Sequence, residues 1–150
     1  MSISKKLNPW YIAGFVEGEG CFAITISKHK TKKLGLDARL SFEIELRGDD
    51  KPILEMIRDT FGCGNIYDLN YERYKWMPHV KYHVRGMKAI NEIIIPFFKA
   101  YPLKGKKSKD FYLFCEAAEI FNKKEHLTAK GIVKLENLRK FMNKRRPFGG

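Results

Sequence analysis

The sequence has no apolar run approaching the roughly 20 residues that a bilayer-spanning helix needs, so no membrane span is expected. Cysteine is scarce: Cys21, Cys63 and Cys115 are odd in number and far apart. This excludes a closed disulfide framework and a paired-cysteine zinc site, and reduced, mostly buried thiols are expected. The stretch before Pro9 lacks an apolar segment, so neither a secretory signal nor an obvious transit peptide is expected, and the chain is placed inside a cell or organelle. None of the four histidines has metal-ligand spacing. Acidic residues are also few: 17 Asp and Glu stand against 29 Lys and Arg, a net charge of +12. That balance favours a polyanionic partner, nucleic acid above all, held with strong salt dependence. A basic protein without such a partner is the alternative that charge alone leaves open.

What is present is globular. In 150 residues, 44% are hydrophobic and 13% aromatic, enough for one domain over 1–150 with a single core. Asn8 and Pro9 open a helix running to about Gly18, as N-cap and first helical residue. From Cys21 the period becomes two. Phe22, Ile24 and Ile26 alternate with smaller or polar residues, and after a lysine-rich connection Leu40, Phe42, Ile44 and Leu46 do the same. Gly48, Asp49 and Asp50 read as turn and cap for a second helix through Ile53, Leu54, Met56, Ile57 and Phe61, stopping at Gly62. Strands are expected over 64–69 and 80–85, joined by a long loop containing Tyr71, Tyr74 and Trp76. Helices are expected over 87–100, 108–121 and 128–142, and 143–150 reads as a frayed tail. The order is αββαββα followed by helices. The aromatics Trp10, Phe97, Phe98, Phe111, Phe114 and Phe121 read as core, and His126 as part of the last helix's start, beside its candidate N-cap Thr128.

Chemistry concentrates in Tyr11 to Phe22, YIAGFVEGEGCF. Gly14 and Gly18 lie four apart on one helix face and leave a groove that another backbone can approach; fitting under the chain's own sheet is the competing reading. Glu19 stands between Gly18 and Gly20 where helix gives way to strand. There a carboxylate is accessible to a phosphate or to a metal bound to it. Glu17, two residues earlier, reads as a solvated or hydrogen-bonded structural carboxylate.

Position by position, Ile12-Ala13-Gly14-Phe15-Val16-Glu17-Gly18-Glu19-Gly20 resembles the motif that names the LAGLIDADG homing endonucleases. The αββαββα order, the basic stretch from Tyr101-Pro102-Leu103 to Asp110-Phe111, and the part from Glu125 to Asn143 resemble the family's single-motif members, so the likeness covers nearly the whole chain. The resemblance implies an α+β fold with a saddle-shaped antiparallel sheet that binds DNA and with C-terminal helices. It implies a site-specific double-strand DNA endonuclease that hydrolyses phosphodiesters at a long, partly palindromic target and leaves short 3′ overhangs. Motif helices of the family pack in pairs through small residues, here Ala13, Gly14 and Gly18, so one motif per chain implies a homodimer. On the family pattern Glu19 is catalytic and binds metal, with the Gly18 carbonyl as main-chain ligand. Roughly two or three Mg²⁺ ions per dimer are implied, with Mn²⁺ as a substitute, because in-line phosphodiester hydrolysis uses metals on both attacking and leaving oxygens. The catalytic lysine falls best on Lys106, with Lys104, Lys107 and Lys109 as neighbours that could serve; a lysine there stabilises developing negative charge. Where relatives carry a polar solvent-ordering residue this chain has Leu46, leaving Glu45 or Arg47 to replace it, and Asp50 stands where relatives often carry a basic or polar group.

Strand parity then sorts a reading surface from a core. Thr25, Ser27 and His29, then Arg39, Ser41, Glu43 and Arg47, then Asn65 and Tyr67, and finally Lys81, His83 and Arg85 share the non-core side. Such a ribbon fits a DNA major groove, where Arg pairs with guanine and Glu accepts from cytosine. Lys28, Lys30, Lys32 and Lys33, together with Lys104 and Lys107, are expected on phosphates. Two rival readings share the fold: an intron RNA maturase that aids splicing, and a DNA-binding regulator without chemistry. A metal-binding carboxylate at Glu19 favours the nuclease over both.

Overall fold

The computed structural model describes residues 6–70 and 77–143. The aromatic residues Tyr71, Tyr74 and Trp76, and residues 144–150 of the expected frayed tail, lie outside the described residues. Helix α1 (Pro9–Glu19) begins where predicted: Asn8 Oδ1 accepts the Trp10 N–H at 2.8 Å, and Pro9 occupies the first turn, where no N–H is needed. It turns directly into strand β1 (Gly20–Lys28), followed by β2 (Leu36–Arg47). A 3-10 turn, Gly48–Asp50, leads into α2 (Lys51–Phe61), which ends on Gly62 in the left-handed region at φ 75°. Asp50 occupies the cap position of α2 without a side-chain capping bond. Because the 3-10 turn feeds straight into the helix, Asp50 is not the capping group that the sequence suggested.

Strands β3 (Asn65–Leu69) and β4 (His79–Arg85) complete one antiparallel sheet in the order β1-β2-β4-β3. The helix expected over 87–100 is one rod with an irregular middle: α3 (Met87–Ala89), a π segment (Ile90–Ile94) and α4 (Ile95–Ala100). Pro96 explains the break. It lacks an N–H and its ring crowds the carbonyl four residues back, and a widened turn relieves both. Helices α5 (Lys107–Asn122) and α6 (Ala129–Phe141) follow, with Thr128 as N-cap of α6: its Oγ1 accepts the Gly131 N–H at 3.0 Å.

One face of the sheet carries Phe22, Ile24, Leu40, Phe42, Ile44, Val80, Tyr82 and Val84, all buried against the helices. Phe22 is the hub. Its ring lies 5.1–5.5 Å from those of Phe42, Phe98, Phe111 and Phe114, contacts that join sheet, α4 and α5. Tyr82 is buried here too, and its hydroxyl donates to the Cys63 carbonyl at 2.6 Å. Asn143, expected to be frayed, is instead tied down. Its Nδ2 donates to the Phe22 carbonyl at 2.7 Å and its backbone N–H to Asp110 at 3.0 Å, so it caps part of the otherwise open edge of β1. No helix among the described residues is long and apolar enough to cross a membrane.

Candidate functional site

The strand registers assemble the predicted polar residues into rows across the second sheet face. Thr25 pairs with Arg39, and Ala23 with Ser41 and Arg85. Cys21 pairs with Glu43, then His83, then Asn65; the next row is Glu45, Lys81 and Tyr67, and the last Arg47, His79 and Leu69. Thr25 and Ser27 are exposed on β1, Arg85 on β4, and Asn65 and Tyr67 on β3. His29 is exposed just past the end of β1, where its Nδ1 meets Thr31 Oγ1 at 2.9 Å. Lys28 and Lys30 are exposed beside it.

Ser41 is a correction. It has the expected parity but is only 5% exposed, because a short side chain on an inner strand lies below the reach of its longer neighbours. Its hydroxyl donates to Glu43 at 3.3 Å, so within this chain it orients a carboxylate.

The exposed rows are already neutralised in part. Glu43 meets His83 Nε2 at 3.2 Å and Lys81 at 3.8 Å; Glu45 meets His79 at 2.9 Å and Lys81 at 4.0 Å. Burial holds His83 below the usual histidine range, with Lys81 and Arg85 adding to the shift and Glu43 opposing it. Neutral His83 then donates an ordinary N–H to Glu43. Arg39 donates to Asp37 at 2.7 Å, and this bond holds the Asp37 carboxyl below the usual carboxylate range; Lys32 adds a longer contact at 3.7 Å. Arg47 lies 3.8 Å from Asp49. Solvent-accessible pairs of this kind are worth about 1 kcal/mol or less. A good bidentate contact to a base discriminates by about 1–3 kcal/mol, so these pairs can open in favour of a polyanion.

Leu46 pairs with Val80 on the core side and packs against the hydrophobic cluster. Parity therefore puts both alternatives, Glu45 and Arg47, on the exposed face. Glu45 is the one nearer α1, one residue past the Gly20–Ile44 pair, and it is the one braced by His79 and Lys81.

At the end of α1, Glu19 is exposed and has no hydrogen bond or ion pair among the described residues. Gly14 and Gly18 are exposed as well, and a Cβ built on either would meet nothing within 4 Å. Together with exposed Tyr11 they leave an open stripe, which settles the competing reading that these glycines fit under the chain's own sheet. Ala13 is a second correction: at 4% exposure it packs into this chain's own core beside Ile12 and Val16, on the opposite side of the helix from the stripe.

The basic loop lies against α1. Lys104 and Lys106 are exposed, and Lys106 immediately precedes α5. Lys107, not Lys106, is the lysine whose ammonium reaches the motif: its Nζ donates to the carbonyl of Gly20, one residue past Glu19. Sequence reasoning missed two further contacts. Glu17 Oε1 accepts the backbone N–H groups of Lys104 and Gly105, and Trp10 packs edge-on to Tyr101 and under the Lys104 ammonium. Gly105 inside a run of lysines was the available signal for the first.

A divalent ion needs several oxygen donors. Among the described residues no three His, Cys, Asp or Glu side chains cluster suitably. One chain offers the Glu19 carboxylate, unpartnered among the described residues, and neighbouring main-chain carbonyls, oxygen donors of the kind that a hard cation takes.

Residues 12–118 match the family described as LAGLIDADG endonuclease. The chain is 33% identical over 138 residues, 92% of its length, to the probable intron-encoded endonuclease 3 of Neurospora crassa, of which it spans 25%. Solved structures similar to it include the homing endonuclease I-TnaI, at 30% identity and TM-score 0.84, covering 95% of this chain and 92% of that one. The I-LtrWI LAGLIDADG homing endonuclease bound to target DNA is 33% identical with TM-score 0.85, covering 98% of this chain and 47% of that one. The chain thus spans about a quarter of the curated relative, nearly half of one solved structure and nearly all of another.

Proposed function

The chain belongs to the LAGLIDADG endonuclease family, and from that premise we propose that it is one half of a site-specific, double-strand DNA homing endonuclease. Residues 1–150 act as a single unit that pairs with a second copy through α1. The observation that carries this reading is the open Gly14–Gly18 stripe ending in the Glu19 carboxylate, which is exposed and unpartnered among the described residues. Two such helices, packed through their small residues, bring two Glu19 carboxylates and the adjoining Gly18 carbonyls together. Mg²⁺ or Mn²⁺ bound there supplies Lewis-acid stabilisation of the phosphate oxygens.

The chain's own residues do the rest. The rows from Thr25 and Arg39 to Tyr67 and Arg85 read base edges. Lys28, Lys30, Lys32, Lys104 and Lys106 hold phosphates. Lys107, anchored on Gly20, faces the charge that develops at the cut. The two-fold symmetry of a homodimer calls for a partly palindromic target, and the family resemblance implies that hydrolysis there leaves short 3′ overhangs. A free carboxylate at Glu19 has no use in RNA chaperoning, which weighs against the maturase reading. The protein works inside a cell or organelle.

The test selects cleavable sequences from a randomised duplex library with Mg²⁺, then compares Glu19→Gln with wild type on the recovered duplex. Cleavage should fall at least about a hundredfold, reflecting several kcal/mol of lost charge stabilisation, with duplex binding retained. Equal cutting by both proteins would refute the role given to Glu19.

A further inference from the structure

Between the motif helix and the basic loop runs a connection that the chemistry of Glu19 does not by itself require. Glu17 and Gly105 are 88 residues apart in sequence, yet Glu17 Oε1 accepts the Gly105 N–H at 2.9 Å and the Lys104 N–H as well. Two main-chain donors on one carboxylate oxygen form a charge-assisted pair, roughly twice as strong as neutral hydrogen bonds. The fit is close: a Cβ added at Gly105 would stand 3.1 Å from Glu17 Oε2, so a side chain there would press on the carboxylate and shift it by a few tenths of an ångström. Trp10 grips the same loop one turn and more upstream, its ring 5.1 Å from that of Tyr101 and 5.8 Å from the Lys104 ammonium. At the downstream end Lys107 Nζ is fixed on the Gly20 carbonyl. The loop is therefore pinned along the length of α1, with Glu17 at the middle pin, two residues before the exposed carboxylate of Glu19.

We propose that Glu17 is a positioning residue for the nuclease reaction: by latching the backbone of Lys104 and Gly105 to the motif helix, it holds the Lys107 ammonium beside the Glu19 site. This rests on the endonuclease reading. Glu17 touches neither DNA nor metal; it acts through Lys107. Lysine is a flexible point charge on a four-carbon stem, and Lys107, the first residue of α5, takes its place from the loop of Lys104 and Lys106 that leads into it, so that loop needs an anchor. A misplacement of about 1 Å near the reacting atoms can cost about a hundredfold in rate, so the latch acts on rate and little on affinity, to which the lysines contribute from any nearby position.

The experiment uses the full chain, with a duplex recovered by the library selection and single-turnover cleavage measured beside duplex affinity. Glu17→Ala should slow cleavage about tenfold to a hundredfold while the dissociation constant changes less than about threefold. Gly105→Ala, which moves the carboxylate from the other side, should give a smaller loss of the same kind. Glu116→Gln removes an exposed carboxylate from α5 and should leave both quantities unchanged. The diagnostic comparison is with Lys107→Met: adding Glu17→Ala to it should cost almost nothing further, because the residue that Glu17 positions is gone. A separate readout needs no target. Amide exchange over 103–106, followed by mass spectrometry, should quicken in Glu17→Ala and stay slow in Glu116→Gln. Losses for Glu17→Ala and Lys107→Met that simply multiply, or unchanged exchange over 103–106, overturn the proposal. If Glu17→Ala fails to fold, Gly105→Ala in the wild-type and Lys107→Met backgrounds decides by the same comparison. Wild-type protein that cuts no duplex while exchange responds as expected overturns the endonuclease reading and leaves the latch standing.

Discussion

A single side chain in this protein is judged by what it touches, and His126 shows how far that differs from its type. Its ring stacks on Phe121 at 4.4 Å and 18°, and its Nδ1 is buried without a hydrogen-bond partner among the described residues. Burial holds its pKa below the usual histidine range, with Lys32 adding to the shift and Asp37 opposing it; His83 is shifted the same way, by burial first. As pH falls, the unfolded chain takes up these protons first, near pH 6.5. Stability contributed by both neutral rings is therefore complete above that pH and is lost as pH drops through it toward the lower folded-state values. The thermal midpoint should stay level above about pH 7 and fall on the acid side of about pH 6.5. His126→Phe, which keeps the stack and removes the titration, should make that fall shallower. A wild-type midpoint as high at pH 5 as at pH 7, or an acid slope unchanged in His126→Phe, would contradict this.

The elements were legible in the sequence wherever one short-range rule governed them. Asn8 and Pro9 start α1 as written, and the alternation through Phe22, Ile24, Leu40, Phe42 and Ile44 gave both strands and their buried face. Sequence reading went wrong where a distant element decides. Ser41 has exposed parity but lies low on an inner strand, and Ala13 shares the motif with Gly14 but points into the core. Glu17 reads as a solvated or hydrogen-bonded carboxylate, but its partners Lys104 and Gly105 leave only a glycine among lysines as a trace, because main-chain donors do not show in residue type. The same applies at the start of α6, where the 125–127 turn folds back so closely that a Cβ on Gly131 would lie 1.8 Å from the Glu125 carbonyl oxygen. Replacing an exposed helical glycine by alanine ordinarily stabilises by nearly 1 kcal/mol. Here the clash should reverse the sign. Gly131→Ala should destabilise by about 2 kcal/mol, typical of overpacking, and lower the thermal midpoint by about 5 °C. A midpoint at or above wild type would mean that the turn yields without cost.

For the molecule as a whole, the fold leaves one helix face uncovered and one charge sign in excess. A net +12 per chain opposes the association of two copies at a distance, but this repulsion is screened over about 8 Å at physiological salt and is offset when a polyanion lies across both. In the proposed pair, contact would come from close packing along Tyr11, Gly14 and Gly18, where the absence of side chains at the two glycines leaves room for a second backbone. This makes pairing sensitive to one atom group at one position. Gly14→Glu places a carboxylate where the chain itself leaves open space, so it should not disturb the folded unit, and it adds no helix-breaking residue. Yet in a pair it would bury two like charges against each other, at a cost of several kcal/mol. Light scattering after gel filtration should give twice 17.5 kDa for wild type and 17.5 kDa for Gly14→Glu. The variant should keep the wild-type circular dichroism spectrum and lose duplex cutting at least about a hundredfold, since each chain would then hold a single Glu19. A Gly14→Glu protein that remains paired and cuts would show that the second half of the site is not brought by α1, and would move the search for it to another face.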